Sequence, residues 1–231
     1  MKRWMGVALA FLFLAGGFAL WPDDEAMAQT GTISGTVKFV GAPPTPKKIS
    51  VTKDTAKCGT EKLSEELVVG PDKGVKWAVI SLVGARGKPS GPAVLDQKTC
   101  QFIPHVVVVP AGGTLEILNS DGILHNIHTY STKNPSINKA QPGFKKKMTE
   151  KFDKPEIIKV TCDAHAWMSG WIVVADSPTA VTDEKGSFKL ANVPVGTYKL
   201  KVWHESLGEQ VKEVSVKPGE EVKVTFELAK K

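Results

Sequence analysis

The sequence predicts an all-β chain built as sandwiches. Nearly every patterned stretch after Gln29 alternates or is β-branched, turn residues punctuate these stretches, and the spacing between them is short. In chain order, the expected strands are 33–40, 77–83, 106–109 and 115–118, then 157–161 and 171–174, and finally 188–190, 198–203, 211–216 and 222–228. Turns follow from the Gly, Pro and Asp clusters at 41–44, 87–92, 110–113, 183–186, 194–196 and 218–219. Such short connections favour sandwiches over a parallel sheet. Residues 132–149 lack a period, carry Pro135, Pro142 and three lysines at 145–147, and read as a long loop.

Lys2 and Arg3 precede an apolar run over 5–20, and Ala26, Met27 and Ala28 offer small residues at a cleavage point. Residues 1–28 therefore read as a signal peptide, with the mature chain starting at Gln29. The run also approaches the roughly 17 residues that span a bilayer, so a retained anchor is the alternative, and membrane contact is expected only then. Either way the rest is exported, to a periplasm or its equivalent. No cysteine follows the run, which separates it from a lipoprotein signal.

Removing residues 1–28 leaves 28 basic against 21 acidic residues, a net charge near +7. A basic surface outside the cytoplasm suits acidic proteins or a membrane, and with no nucleic-acid motif present nucleic acid is not expected as a partner. Three cysteines in an oxidising compartment leave at least one without a partner in the chain. Cys58 and Cys100 lie far from any ligand-like spacing and are free to pair with each other. Cys162, three residues before a histidine, is the thiol assigned to a metal.

Four of the five histidines fall between Cys100 and Ala175. In VTCDAHAWMSGWIVV, Cys162, His165 and Met168 recur every third residue in a short loop between two expected strands, so one loop brings three side chains to one point. Thiolate and imidazole bind copper strongly, and a thioether at longer distance is a soft axial ligand that tunes the potential. Upstream, NSDGILHNIHTYS supplies His125 at the start of a strand that would lie beside the ligand loop. Along that strand His125 and Ile127 share one face, Asn126 and His128 the other, so one metal does not take both histidines. His105, with Cys100 or His128, offers a second metal site; the plain alternative is a surface histidine. His204 reads as structural or exposed. A lone cysteine is ordinarily a small hydrophobe and a lone histidine a surface or satisfied core residue. Spacing, strand context and export signal together argue against coincidence.

Cys-x-x-His-x-x-Met preceded by His-Asn resembles the cupredoxins, the small blue copper proteins. The loop spacing is similar to that of the amicyanins, and CQFIPHVVVVPAGGTLEILNSDGILHN resembles the plastocyanin-like lead into the first ligand. This resemblance covers about a third of the chain. It implies a Greek-key sandwich holding one mononuclear copper, with His125, Cys162, His165 and Met168 as ligands and Asn126 pinning the ligand loop. Trp167 and the pair Asp163-Ala164 depart from the family pattern, and a backbone carbonyl or water is the alternative axial group.

AVTDEKGSFKLANVPVGTYKLKVWHESLGEQVKEVSVKPGEEVKVTFEL resembles the later strands of a carboxypeptidase-regulatory-like domain, a transthyretin-like sandwich. The first strand of such domains is similar to GTISGTVKFVGAP. The chain then divides into a signal at 1–28, an N-terminal segment of a split sandwich at 29–91, a copper domain at 92–176 and the returning sandwich segment at 177–231, with 77–83 open to either part. The function implied is a type 1 copper electron carrier, not an enzyme, since nothing supplies a substrate pocket, general base or second catalytic metal. Its partner would be a redox protein such as a c-type cytochrome or an oxidoreductase. Copper delivery without a redox role, and an extracellular binding or adhesion module, are the alternatives.

Overall fold

The computed structural model describes residues 29–89 and 91–230; the expected signal peptide lies outside them. The described chain runs through β1 (Thr30–Phe39), β2 (Lys48–Ser50), a helical turn (Thr55–Cys58), β3 (Glu61–Leu63) and β4 (Val79–Val83). Next come β5 (Val94–Lys98), β6 (Gln101–Ile103), β7 (Val106–Pro110), β8 (Gly113–Asn119), β9 (His125–Thr129), β10 (Asn138–Gln141), β11 (Lys147–Phe152), β12 (Glu156–Thr161) and β13 (Ser169–Ala175). The last five are β14 (Thr179–Val181), β15 (Ser187–Pro194), β16 (Gly196–His204), β17 (Gly208–Val216) and β18 (Glu221–Leu228).

The structure is all-β and forms two sandwiches. The first packs a sheet of order β10-β9-β12-β13-β7 on one of order β11-β8-β5-β6. Leu95, Phe102, Leu115, Ile117, Ile127, Phe152, Ile158 and Ile172 fill the space between them. The second packs β15-β1-β18 on β14-β4-β16-β17, around Ile33, Val37, Ile80, Leu82, Leu200, Val202 and Phe226.

The second sandwich is split by the first. β1 lies between β15, to which it is antiparallel, and β18, to which it is parallel. At Gly35 a Cβ would stand 1.8 Å from the Val224 carbonyl oxygen, so the close approach of β1 to β18 requires glycine there. Strand β4, open to either part by sequence, pairs with β14 and β16 and belongs to this sandwich. The chain leaves after β4 and returns beside its exit, where Leu82 N–H donates to the Pro178 carbonyl at 3.0 Å. Thr182 binds across the same split: its hydroxyl donates to the Val75 carbonyl at 2.7 Å and accepts the Ala78 N–H at 2.9 Å.

Two expectations need correction. Residues 48–63, assigned to the split sandwich by position, pack instead on the first sandwich, with Val51 and Cys58 in its core. Short half-exposed strands such as β2 and β3 carry little periodicity. The expected loop 132–149 contains β10 and the start of β11. Because Asn138, Lys139 and Ala140 are exposed on an edge, β10 shows no apolar alternation.

β7 and β13 read as unbroken apolar runs because both faces of their sheet are covered. Ile172 and Val174 enter the first core. Val106 and Val173 face the other way and pack with Val79, Trp77, Trp171 and Trp203 where the sandwiches meet.

Candidate metal centre

Backbone hydrogen bonds shape the ligand loop between β12 and β13. Met168 N–H donates to the His165 carbonyl at 2.9 Å, and Cys162 N–H to the Met168 carbonyl at 3.2 Å, closing the loop on itself. The turn before His125 is held by Asn119, whose Nδ2 donates to the Ile123 and Gln141 carbonyls at 2.8 and 3.1 Å and whose Oδ1 accepts the Gly122 N–H at 3.2 Å. Gln141, opposite His125 in the ladder, accepts at 2.6 Å from the Gln97 side chain. Asn119 and Gln141 are buried with both ends of their amides bonded, whereas Gln97, also buried, bonds through Nε2 alone and leaves its Oε1 without a partner.

The two loops bring three donor atoms together. Sγ of Cys162 lies 4.0 Å from Nδ1 of His125 and 3.8 Å from Nδ1 of His165, and the two nitrogens are 3.1 Å apart. A circle through atoms so spaced has a radius of about 2.1 Å, inside the roughly 2.0–2.3 Å that imidazole nitrogen and thiolate sulfur keep from a bound metal such as zinc. The donor set therefore fits a single first-row ion. Cys162, His125, His165 and Met168 are all buried, at 2%, 0%, 0% and 1% exposure, so the cluster is shielded from water.

Burial pushes the Cys162 thiol above its ordinary range, while the backbone N–H groups of His165, Asn126 and Ala164 favour the thiolate. Burial also lowers His125, which keeps its ring neutral and able to donate, against the opposing pull of Asp121. Oδ1 of Asn126 accepts the Asp163 N–H at 3.2 Å and its Nδ2 donates to Asn138 at 2.7 Å, tying β9, β10 and the loop after β12 together.

Cys58 and Cys100 form a disulfide. This and the positions of the remaining histidines correct the second metal site considered for Cys100, His105 and His128. His128 is on the outer face of β9, 2.9 Å from Asp163 and stacked on Tyr130. His105 is buried under the interface between sandwiches, paired through Nε2 with Glu205. The three do not meet. His204 is buried, its Nδ1 accepting the Ser206 N–H at 3.2 Å.

Sequence reasoning missed two carboxylates. Asp121 reaches Nε2 of His125 at 2.9 Å and Asp54 reaches Nε2 of His165 at 2.8 Å. Asp121 was visible in the turn four residues before its histidine, but Asp54 carried no signal. Trp167, a departure from the expected loop pattern, stands beside His165 with ring centroids 5.0 Å apart and donates its indole N–H to the Cys100 carbonyl at 3.1 Å.

Residues 160–229 match the carboxypeptidase regulatory-like domain. The matched stretch takes in β14 to β18, while β1 and β4, which complete that sandwich, precede it in the chain. No curated protein matches the chain. Solved structures similar to it include a copper-containing nitrite reductase, a purple cupredoxin and amicyanins. The copper-containing nitrite reductase of Thermus scotoductus SA-01 is 24% identical over 40% of this chain and 24% of its own, with a TM-score of 0.34. The purple cupredoxin of Nitrosopumilus maritimus is 20% identical over 36% of this chain and 99% of its own, at 0.31. Amicyanin from Paracoccus versutus is 16% identical over 42% and 97%, at 0.32. The chain thus spans about a quarter of the nitrite reductase it resembles.

Proposed function

We propose that this protein is an exported type 1 copper protein that carries single electrons between redox proteins. The observation that carries this reading is the convergence of Nδ1 of His125, Nδ1 of His165 and Sγ of Cys162 on one buried point. Copper bound there would supply a one-electron Cu(I)/Cu(II) couple, and His125, Cys162, His165 and Met168 are the residues that would hold it.

The chain's own residues do the rest. His125 comes from one strand and Cys162, His165 and Met168 from a loop closed by its own hydrogen bonds, so the donors hold nearly one arrangement whichever oxidation state is bound. Asn126 pins that loop from β9. Burial excludes water from the donors. A mature charge near +7 suits an acidic redox partner, such as a c-type cytochrome or an oxidoreductase, met outside the cytoplasm.

The test is to add Cu(II) to the purified protein and record visible absorption and electron paramagnetic resonance. The expected result is an intense sulfur-to-copper charge-transfer band that Cys162→Ser abolishes. A band that survives in Cys162→Ser overturns the ligand assignment. Tight Cu(I) binding without a blue chromophore would favour copper delivery, and no copper binding would favour a binding module built on the transthyretin-like sandwich.

A further inference from the structure

Both imidazoles of the cluster turn Nδ1 toward the sulfur and Nε2 away from it, and each Nε2 meets a carboxylate from another part of the chain. Oδ2 of Asp54 lies 2.8 Å from His165, and Oδ2 of Asp121 lies 2.9 Å from His125. Asp54 precedes the helical turn Thr55–Cys58, the position where an aspartate ordinarily bends its side chain back onto free backbone N–H groups. Here it makes no such bond, its backbone is left-handed at φ 52° and ψ 35°, and the carboxylate reaches His165 instead. Left-handed backbone is uncommon for a residue other than glycine, though aspartate tolerates it better than most.

Asp121 is fixed as firmly. Its Oδ1 accepts the Thr99 N–H and its Oδ2 the Cys100 N–H, both at 2.7 Å. Cys100 is bonded to Cys58, at the end of the turn that Asp54 begins. One disulfide therefore ties together the two segments that hold the carboxylates in place.

We propose that Asp54 and Asp121 are a matched pair of positioning residues for the metal centre. Each fixes its histidine as the Nε2–H tautomer, leaving Nδ1 bare for the metal, and each strengthens its imidazole as a donor. Two strengthened imidazoles favour the more highly charged ion, so the pair holds the reduction potential down. The potential-setting part rests on the copper reading; the tautomer part does not.

Two measurements on the whole protein test this. In the copper-free state, long-range proton–nitrogen NMR should find His125 and His165 both as Nε2–H tautomers. Asp54→Ala should release His165 to a mixture while His125 stays unchanged. An Nδ1–H tautomer in the parent protein, or no response to Asp54→Ala, overturns the proposal.

In the copper-loaded state, Asp54→Asn should shift the one-electron equilibrium toward Cu(I) by tenfold or more, a rise of 59 mV or more in midpoint potential. Asp163→Asn removes the same charge next to Cys162, but Asp163 bonds His128 rather than a ligand histidine, and it should shift the potential by less than half as much. Equal shifts would mean that charge alone acts, and would overturn the positioning role. Correct tautomers in a protein that never forms a blue centre would overturn the copper reading and the potential-setting part with it, leaving the tautomer part standing.

Discussion

Trp171 of β13 and Trp203 of β16 meet edge to face across the two sandwiches, their ring centroids 5.0 Å apart and their planes at 70°. The pair lies in the small apolar cluster that joins the domains, with Val79, Val106 and Val173 buried around it. Aromatic pairs of this geometry contribute beyond the area they bury. Trp203→Ala should therefore cost about 2 kcal/mol, most of it from docking of the sandwiches. Urea unfolding followed by separate probes for each sandwich should change from one transition to two, with the copper spectrum unaltered.

The disulfide Cys58–Cys100 closes a loop over a sequence separation of 42. Loop-closure entropy for that length corresponds to about 4 kcal/mol. The double variant Cys58→Ser/Cys100→Ser should lose close to that amount in urea unfolding. Because the same bond ties the segment bearing Asp54 to the one whose N–H groups hold Asp121, its copper resonance should also broaden relative to the parent.

His125 and His128 are three residues apart yet differ in consequence. His125 is fully buried against Cys162, while His128 pairs with Asp163 on the outer face of the strand. His125→Ala should lower copper retention by tenfold or more and open the centre to water. His128→Ala should leave the visible spectrum almost unchanged, and a larger effect at His128 would contradict the strand-face geometry.

Burial lowers His204 from the usual imidazole value to about 4. The unfolded chain binds a proton there near pH 6.5, whereas the folded protein resists it until about pH 4, so the unfolded state holds more protons throughout that window. The resulting stability is fully present above about pH 6.5 and is lost as the pH falls to about 4, a total on the order of 3 kcal/mol. Denaturant unfolding at pH 7.5, 5.5 and 4 should show this slope, and His204→Gln should flatten it.

Glu156 works in the same direction at lower pH. Although burial raises it, hydrogen bonds from Ser131, Thr132 and Asn134 prevail and hold its carboxyl at about 2. Its contribution is present above the ordinary carboxylate value and disappears as the pH falls through 2. Glu156→Gln should loosen the 131–134 segment, visible as faster amide exchange at Thr132 and Asn134, whose N–H groups it accepts.

The amino-acid sequence by itself determined whatever depends on neighbours along the chain. The three-residue spacing of Cys162 and His165 brings Sγ and Nδ1 within 3.8 Å, because a loop that short leaves its side chains little choice of direction. Alternation in β9 separated His125 from His128, since successive side chains on a strand point to opposite faces. The strand over 33–40 was legible as the missing member of a sandwich from its pattern and its resemblance.

Only the tertiary structure decided what rests on contacts between distant segments. Asp54 is 111 residues from His165, and nothing in periodicity or spacing reports which carboxylate a folded sheet will bring to an imidazole. The edge strand β10 was hidden for a related reason: its partner β9 supplies its hydrogen bonds, while its own exposed side chains carry no pattern. The placement of 48–63 on the first sandwich likewise followed from burial of Val51 and Cys58 in that core, not from position in the chain. Local geometry limits directions over a few residues, whereas burial and hydrogen-bond satisfaction across sheets are settled only when the whole chain packs.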